Sequence, residues 1–231
     1  MNNRFENTDS LSFLATIAKG VVDLALVDPP YIISHETGFK SVKEGVQRFA
    51  VETEFGEWDK EENFSMSDLE DSVKEYYRVL RDGGTAIIFC DLWKVSYVKE
   101  MMERHKFKQI RFIDWVKTNP VPLNSKRNYL TNAREVAILG VKKSKPTFNS
   151  QYHSGLYHYP ICHDKGRFHP TQKPLAFMEE LIEIHSNDGD IVLDTFAGAG
   201  TTLQAAKNKN RIYLGCELDK EYYDKAKERL K

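Results

Sequence analysis

The feature that most restricts what this 231-residue chain can become is the alternation of short apolar runs with helix-period segments. Residues 22–27, 85–90, 110–115, 136–141, 191–194 and 212–216 are rich in β-branched residues or bounded by turn signals, and read as buried strands. Residues 67–80 place Leu69, Val73, Tyr76, Tyr77 and Leu80 on one helical face and run into Gly83-Gly84, a helix stop signal. Residues 174–185, 201–208 and 220–230 also read as helices. Strands alternating with helices imply one α/β domain over residues 1–231, with a largely parallel sheet covered on both faces. Two stretches break the pattern. Residues 32–64 are polar, acidic and weakly periodic, which suggests a mobile loop. Residues 119–168 open with Asn119-Pro120-Val121-Pro122, are rich in Tyr, His, Lys and Asn, and show little regular structure besides the run at 136–141.

Composition excludes several classes. No stretch approaches the roughly 20 apolar residues that cross a bilayer, and the N-terminal residues lack a signal-peptide run, so a cytoplasmic chain with no membrane partner is expected. Cys90, Cys162 and Cys216 are odd in number and far apart, against a disulfide framework or a four-cysteine zinc site. His153, His158, Cys162, His163 and His169 crowd one segment, but their spacing fits no common zinc pattern and no metal is expected. The net charge of −1 conceals segregation. Residues 104–146 hold eleven Lys/Arg against two acids, and residues 36–82 hold thirteen acids against seven bases. Two solvated faces of one globule would account for this, and so would a single phosphate-facing surface.

Two motifs carry chemistry. Asp28-Pro29-Pro30-Tyr31 follows the first buried strand directly, where a parallel sheet places its ligands. Two prolines fix the backbone and remove donors, leaving carbonyls free to accept. With a carboxylate and a flat aromatic added, the tetrapeptide suits a planar ring that bears an amino group, although a stiff turn would also use the prolines. Asp194-Thr195-Phe196-Ala197-Gly198-Ala199-Gly200-Thr201-Thr202 joins a strand to a helix. Gly198 and Gly200 permit a tight turn and close approach of a ligand to the backbone. Glu217 stands seventeen residues after Gly200, at the end of the next strand, near the spacing at which an acid accepts from ribose hydroxyls. The pair points to a nucleoside-bearing cofactor without saying which. A third segment, His169-Pro170-Thr171-Gln172-Lys173-Pro174, leads into a helix and is weak alone.

In combination, the DPPY element first, a variable middle, then HPTQKP and FAGAG, the sequence resembles the β-group of S-adenosylmethionine-dependent DNA adenine-N6 methyltransferases, mostly found in restriction–modification systems. Phe55-Gly56-Glu57-Trp58-Asp59 and Trp115-Val116-Lys117-Thr118-Asn119-Pro120 also look like stretches of small members of that group, so the likeness covers almost the whole chain. The resemblance implies a Rossmann-like, circularly permuted, seven-stranded sheet in which the strands before DPPY and FAGAG are neighbours. It implies Asp28, Pro29, Pro30 and Tyr31 as catalytic residues. Asp9, Asp28, His169, Thr171, Lys173, Asp194, Phe196, Gly198, Gly200, Thr201, Thr202 and Glu217 are then cofactor contacts, with Thr171 and Lys173 at the methionine carboxylate. Lys126, Arg127, Arg134, Lys142 and Lys143 are expected to face phosphates of double-stranded DNA, within a target-recognition insertion at 119–168. A homodimer and a cognate restriction endonuclease are further expectations. The alternatives are cytosine-N4 methylation, where Ser more often stands in place of Asp28, and a catalytically inactive DNA-binding relative, which would have lost the acid or a glycine. Cytosine-C5 methylation would need a Pro-Cys nucleophile, and the sequence has none.

Overall fold

The computed structural model describes residues 2–31, 64–120, 130–162, 167–169 and 171–231. Of the expected loop at 32–64 only Phe64 is described; its Phe55–Asp59 stretch, together with Lys126, Arg127 and His163, lies outside the described residues. The elements run β1 (Arg4–Asn7), α1 (Ser10–Ala15), β2 (Val22–Val27), α2 (Met66–Val79), β3 (Leu80–Cys90), α3 (Val95–Arg104), β4 (Phe107–Lys117), β5 (Arg134–Lys142), β6 (Leu156–Tyr159), α4 (Leu175–His185), β7 (Ile191–Asp194), α5 (Thr201–Asn208), β8 (Ile212–Glu217) and α6 (Lys220–Arg229).

Among the described residues, eight strands form one sheet in the order β1-β8-β7-β2-β3-β5-β4-β6. Only β5 runs against its neighbours; the other pairings are parallel. Strands alternate their side chains between two covered faces. Ala25, Val27, Ala86 and Ile88 meet Phe13, Leu14, Val73, Tyr76 and Met102 on one side. Leu24, Leu26, Ile87 and Phe89 meet Phe177, Leu181, Ile182 and Ala206 on the other. The last strand–helix units of the chain sit in the middle of the sheet, with β7 against β2 and β8 against β1, as a permuted order requires.

The sheet has eight strands where seven were expected. The addition is β6, a four-residue edge strand paired with the end of β4, where the Trp115 indole N–H donates to the Tyr159 carbonyl at 2.9 Å. Gly83-Gly84 also departs from expectation. Helix α2 ends at Val79, Leu80 is already extended, and both glycines belong to β3. The β2–β3 register shifts there, from Val22↔Leu80 to Leu24↔Thr85. Gly83 has φ +83°, and a Cβ on it would lie 2.7 Å from the Lys145 carbonyl oxygen, so the pair makes a strand irregularity instead of a helix cap. Within 119–168, β5 is inside the sheet, between β3 and β4. Among the described residues, no helix is long and apolar enough to cross a membrane.

Because every strand but β5 points the same way, the C-terminal ends of seven strands and the start of β5 share one edge. The described ends of the connections after β4 and β6, 118–120 and 160–162, therefore emerge beside Asp28–Tyr31 and the turns that follow β7 and β8.

Candidate active site

Strands β2 and β7 pair through Leu24↔Val192 and Ala25↔Leu193, so Asp28 and Asp194 emerge side by side and both motif loops open on the same edge. Asp28 Oδ2 accepts from Lys173 Nζ at 2.5 Å, whereas its Oδ1 is buried and has no hydrogen-bond partner among the described residues. Lys173 Nζ also lies 3.0 Å from Glu135 Oε2, and the other Glu135 oxygen is 2.9 Å from Lys117 Nζ. The Tyr31 hydroxyl donates to Glu135 at 3.4 Å, and the Lys173 ammonium lies over both the Tyr31 and Phe89 rings, 5.6 and 5.0 Å from their centroids. Burial raises the Asp28 carboxyl above its ordinary range against the pull of Lys173, and nearby Glu135 adds to the rise. Burial opposes the Lys173 charge, but the two carboxylates outweigh it and hold the ammonium well above the ordinary lysine range. Glu135 is held low, since Lys173 and Lys117 overcome its burial.

The second motif is organised by backbone donors. The Gly198 N–H donates to Glu217 Oε2 at 2.7 Å and the Asp219 N–H to Oε1 at 2.9 Å. Gly198 takes φ +49°, and a Cβ there would sit 3.4 Å from the His169 ring, so the position is restricted both by backbone and by space. Asp194 is 2 % exposed and Oδ1 accepts the Phe196 N–H at 3.0 Å. Burial pushes the Asp194 carboxyl up to about 7, with Asp28 and Glu217 adding repulsion against the Thr202 and Phe196 donors. Phe196 meets Phe64 edge-on at 5.2 Å. Asp9 caps α1 through the Ser12 N–H at 2.9 Å, just past the β1 end that pairs with β8.

In the third segment, the His169 ring lies 4.4 Å from Tyr222, and burial followed by the charges of Lys173 and Arg167 lowers it to about 4, so it is neutral at physiological pH. The Thr171 N–H points to His169 Nδ1 at 3.3 Å.

These residues line one cavity of about 1080 Å³. It takes in Asp28, Pro29, Pro30 and Tyr31 together with Asp9, His169, Thr171, Lys173, Asp194, Phe196, Gly198, Thr201, Thr202 and Glu217. Gly200 does not line it: at φ +71° it starts α5, and a Cβ there would lie 3.1 Å from the Ala226 methyl of α6. Lys173 is 5 % exposed and paired with Asp28 and Glu135. Lys142 is 3 % exposed and donates to the Leu80 carbonyl at 2.5 Å, away from the cavity. Lys143 is exposed near Asp82, but it follows the end of β5 and sits at the edge opposite the cavity. Of the described basic candidates, only Arg134 lines the cavity; its guanidinium lies 3.5 Å from Asp114. Sequence reasoning did not single out Glu135, Lys117 or the exposed Trp93, all of which line the cavity.

Comparison with known proteins agrees with this geometry. A family model described as DNA methylase, covering N6 and N4 methyltransferases, matches residues 22–228. The Type II methyltransferase M.HinfI of Haemophilus influenzae is 31 % identical over 99 % of this chain and 69 % of its own length. M.HpaI of Haemophilus parainfluenzae, also named a Type II methyltransferase, is 28 % identical over 100 % of this chain and 74 % of its own. The crystal structure of the M1.HpyAVI–SAM complex superposes with a TM-score of 0.72 at 31 % identity, covering 98 % of this chain and 99 % of that one. The cytosine-N4-specific PvuII methyltransferase, at 16 % identity and a TM-score of 0.76, shares the fold. With a DPPY loop and a glycine turn facing one crevice, and likeness along nearly its whole length, the chain belongs to the DNA methylase family and is an S-adenosylmethionine-dependent DNA methyltransferase.

Proposed function

We propose that the acceptor is the N6 amine of an adenine turned out of double-stranded DNA at a specific site. The observation that carries this reading is Asp28 Oδ1: a buried carboxylate oxygen, without a hydrogen-bond partner among the described residues, in the cavity that also holds the Gly198–Glu217 turn. A buried acceptor left open is costly unless a ligand donor completes it.

The residues present fit the cofactor. S-adenosylmethionine supplies an electrophilic methyl on a positively charged sulfur. Gly198 leaves space that a side chain would fill, Glu217 retains lone pairs for ribose hydroxyls beyond those used by two amides, and Asp194 offers a carboxylate to a cation. Phe196 provides an apolar wall, and Asp9 lies at the mouth beside β8.

The N6 lone pair of adenine is delocalised into the ring. Accepting its two N–H groups at Asp28 Oδ1 and the Pro29 carbonyl favours a pyramidal nitrogen with the lone pair exposed. Transfer is then an in-line displacement driven by positioning and electrostatics. Extrusion of the base costs about a few kcal/mol. Stacking on Tyr31 returns roughly 1–3 kcal/mol. Arg134 and the neighbouring residues 130–133, which line the cavity, are the surface we assign to DNA; Lys126 and Arg127 belong to the same connection by sequence. The reading extends to a cytoplasmic modification enzyme that acts as a homodimer and accompanies a restriction endonuclease, supported by Type II relatives and by the exposed Leu92, Trp93 and Tyr97.

Plasmid DNA incubated with the protein and tritiated S-adenosylmethionine, then digested to nucleosides, should yield labelled N6-methyladenine. Label in N4-methylcytosine would overturn the choice of base.

A further inference from the structure

Four alternating charges run through the interior beneath the DPPY loop: Asp28, Lys173, Glu135 and Lys117, in contacts of 2.5, 3.0 and 2.9 Å. They come from four separate parts of the chain, namely the end of β2, the segment before α4, the start of β5 and the end of β4. Lys173 and Glu135 have no need of each other for the fold alone, since a buried ion pair is commonly no more stable than an apolar one of the same volume. What the arrangement does is fix one carboxylate oxygen of Asp28 on a cation and leave the other open.

We propose that Glu135 and Lys173 are positioning residues for methyl transfer, with Glu135 holding the Lys173 charge while Asp28 takes up the proton released from the amine. This rests on the reading of Asp28 as acceptor of the N6 hydrogens. As the N6 lone pair forms the new C–N bond and sulfur keeps the electrons of the broken C–S bond, N6 becomes cationic. One N6 proton moves to Asp28 Oδ1, which leaves a neutral methylated amine and a neutral Asp28. With Asp28 alone as partner, Lys173 would then be an unpaired buried cation, a costly state. Glu135 prevents this, because Lys173 and Glu135 remain a neutral pair on either side of the step. Lys117 and the Tyr31 hydroxyl in turn hold Glu135 in place.

Among the described residues, the charged and titratable groups facing Asp28 are Lys173, Glu135, Tyr31 on its own loop, Cys90 at the end of β3 and Asp194 at the end of β7. Burial pushes the Cys90 thiol up to about 12 and lifts the Tyr31 hydroxyl well above its usual range, so both stay protonated. Lys173 and Glu135 pull the Asp28 proton affinity in opposite directions. Removing each must therefore move the acid limb of the rate profile in opposite directions, a response that loosened packing would not give.

The test is the single-turnover methylation rate of the full chain on duplex DNA against pH, with saturating enzyme and tritiated S-adenosylmethionine. Glu135→Gln should lower the plateau about tenfold and move the acid limb to lower pH. Lys173→Gln should lose more than tenfold at neutral pH, recover as pH rises, and move the limb upward. The Glu135→Gln/Lys173→Gln double variant should fall between them, and cofactor affinity should stay within about twofold in all three. If Lys173→Gln does not fold, the double variant, which buries no unpaired lysine partner at 135, must still lie above Glu135→Gln. Limbs that stay put or move the same way, or losses explained by cofactor or DNA affinity, overturn the proposal. A wild-type chain that methylates no adenine amine would instead remove the reading of Asp28 on which it rests.

Discussion

The two halves of the crevice treat charge differently. On the β2–β5 side, Asp28 and Glu135 are matched by Lys173 and Lys117 at salt-bridge distance, so this half is balanced within itself. On the β7–β8 side, Asp194 and Glu217 are held by backbone amides and a threonine hydroxyl, and burial raises both carboxyls. Each half suits what it receives. A purine base is neutral and enters the balanced half without disturbing it. A sulfonium cofactor brings net positive charge to the half that holds acids without lysines against them. Geometry follows the same division: backbone donors around glycines shape one half, and long side chains from distant segments shape the other.

The largest effect should come from breaking the balanced half alone. Asp28→Ala is expected to lower methyl transfer by at least about a thousandfold, while cofactor affinity stays within about tenfold, roughly 1.4 kcal/mol. Tritium transfer and calorimetry measure the two quantities separately, and cofactor binding lost along with turnover would mean that the halves are not independent.

A smaller effect reports on the acidic half. The folded-state pKa of Asp194 is pushed up to about 7 from an ordinary 3.8, so the folded chain keeps a proton that the unfolded chain has released. The free protein therefore loses stability as pH rises from about 4 to about 7, and above that the difference is constant. A cation beside Asp194 favours its ionised form. Cofactor affinity should rise by up to about tenfold per pH unit below about 7 and level off above, with a proton released on binding. Calorimetry in buffers of different ionisation enthalpy detects that proton, and Asp194→Asn should abolish both the slope and the release.

The smallest effect concerns the rim. Arg134→Ala should reduce the salt slope of DNA binding by about one. Lys143→Ala, at the far edge, should leave both affinity and slope unchanged in the same filter-binding titration. An equal loss in the two variants would place DNA over both edges of the sheet.

How far the sequence discloses this molecule follows the same divide. The buried strands β2, β7 and β8 are short apolar runs bounded by turn residues, and glycine turns have few conformations open to them, so that half is readable from motifs. The base side is not. Glu135 follows an arginine at the start of a strand, and nothing local distinguishes it from a solvated charge; its role comes from a lysine thirty-eight residues later in the chain. Lys142 looks like part of a basic run, yet its ammonium lies over the Tyr77 ring and donates to the carbonyls near the end of α2. Short elements also escape periodicity. The four residues of β6 alternate in burial but are mostly Tyr and His.

The reversed direction of β5 has a consequence for how such a chain can change. Strand β4 stops and β5 starts at neighbouring register positions, Val116↔Arg134, so everything between them departs from and returns to a single rim. Lengthening or exchanging that stretch crosses no layer of the core, and doubling a flexible span costs only about 0.6 kcal/mol in closure entropy. The contact with nucleic acid that we propose for this stretch is thus free to drift between lineages while the chemistry beneath it stays fixed.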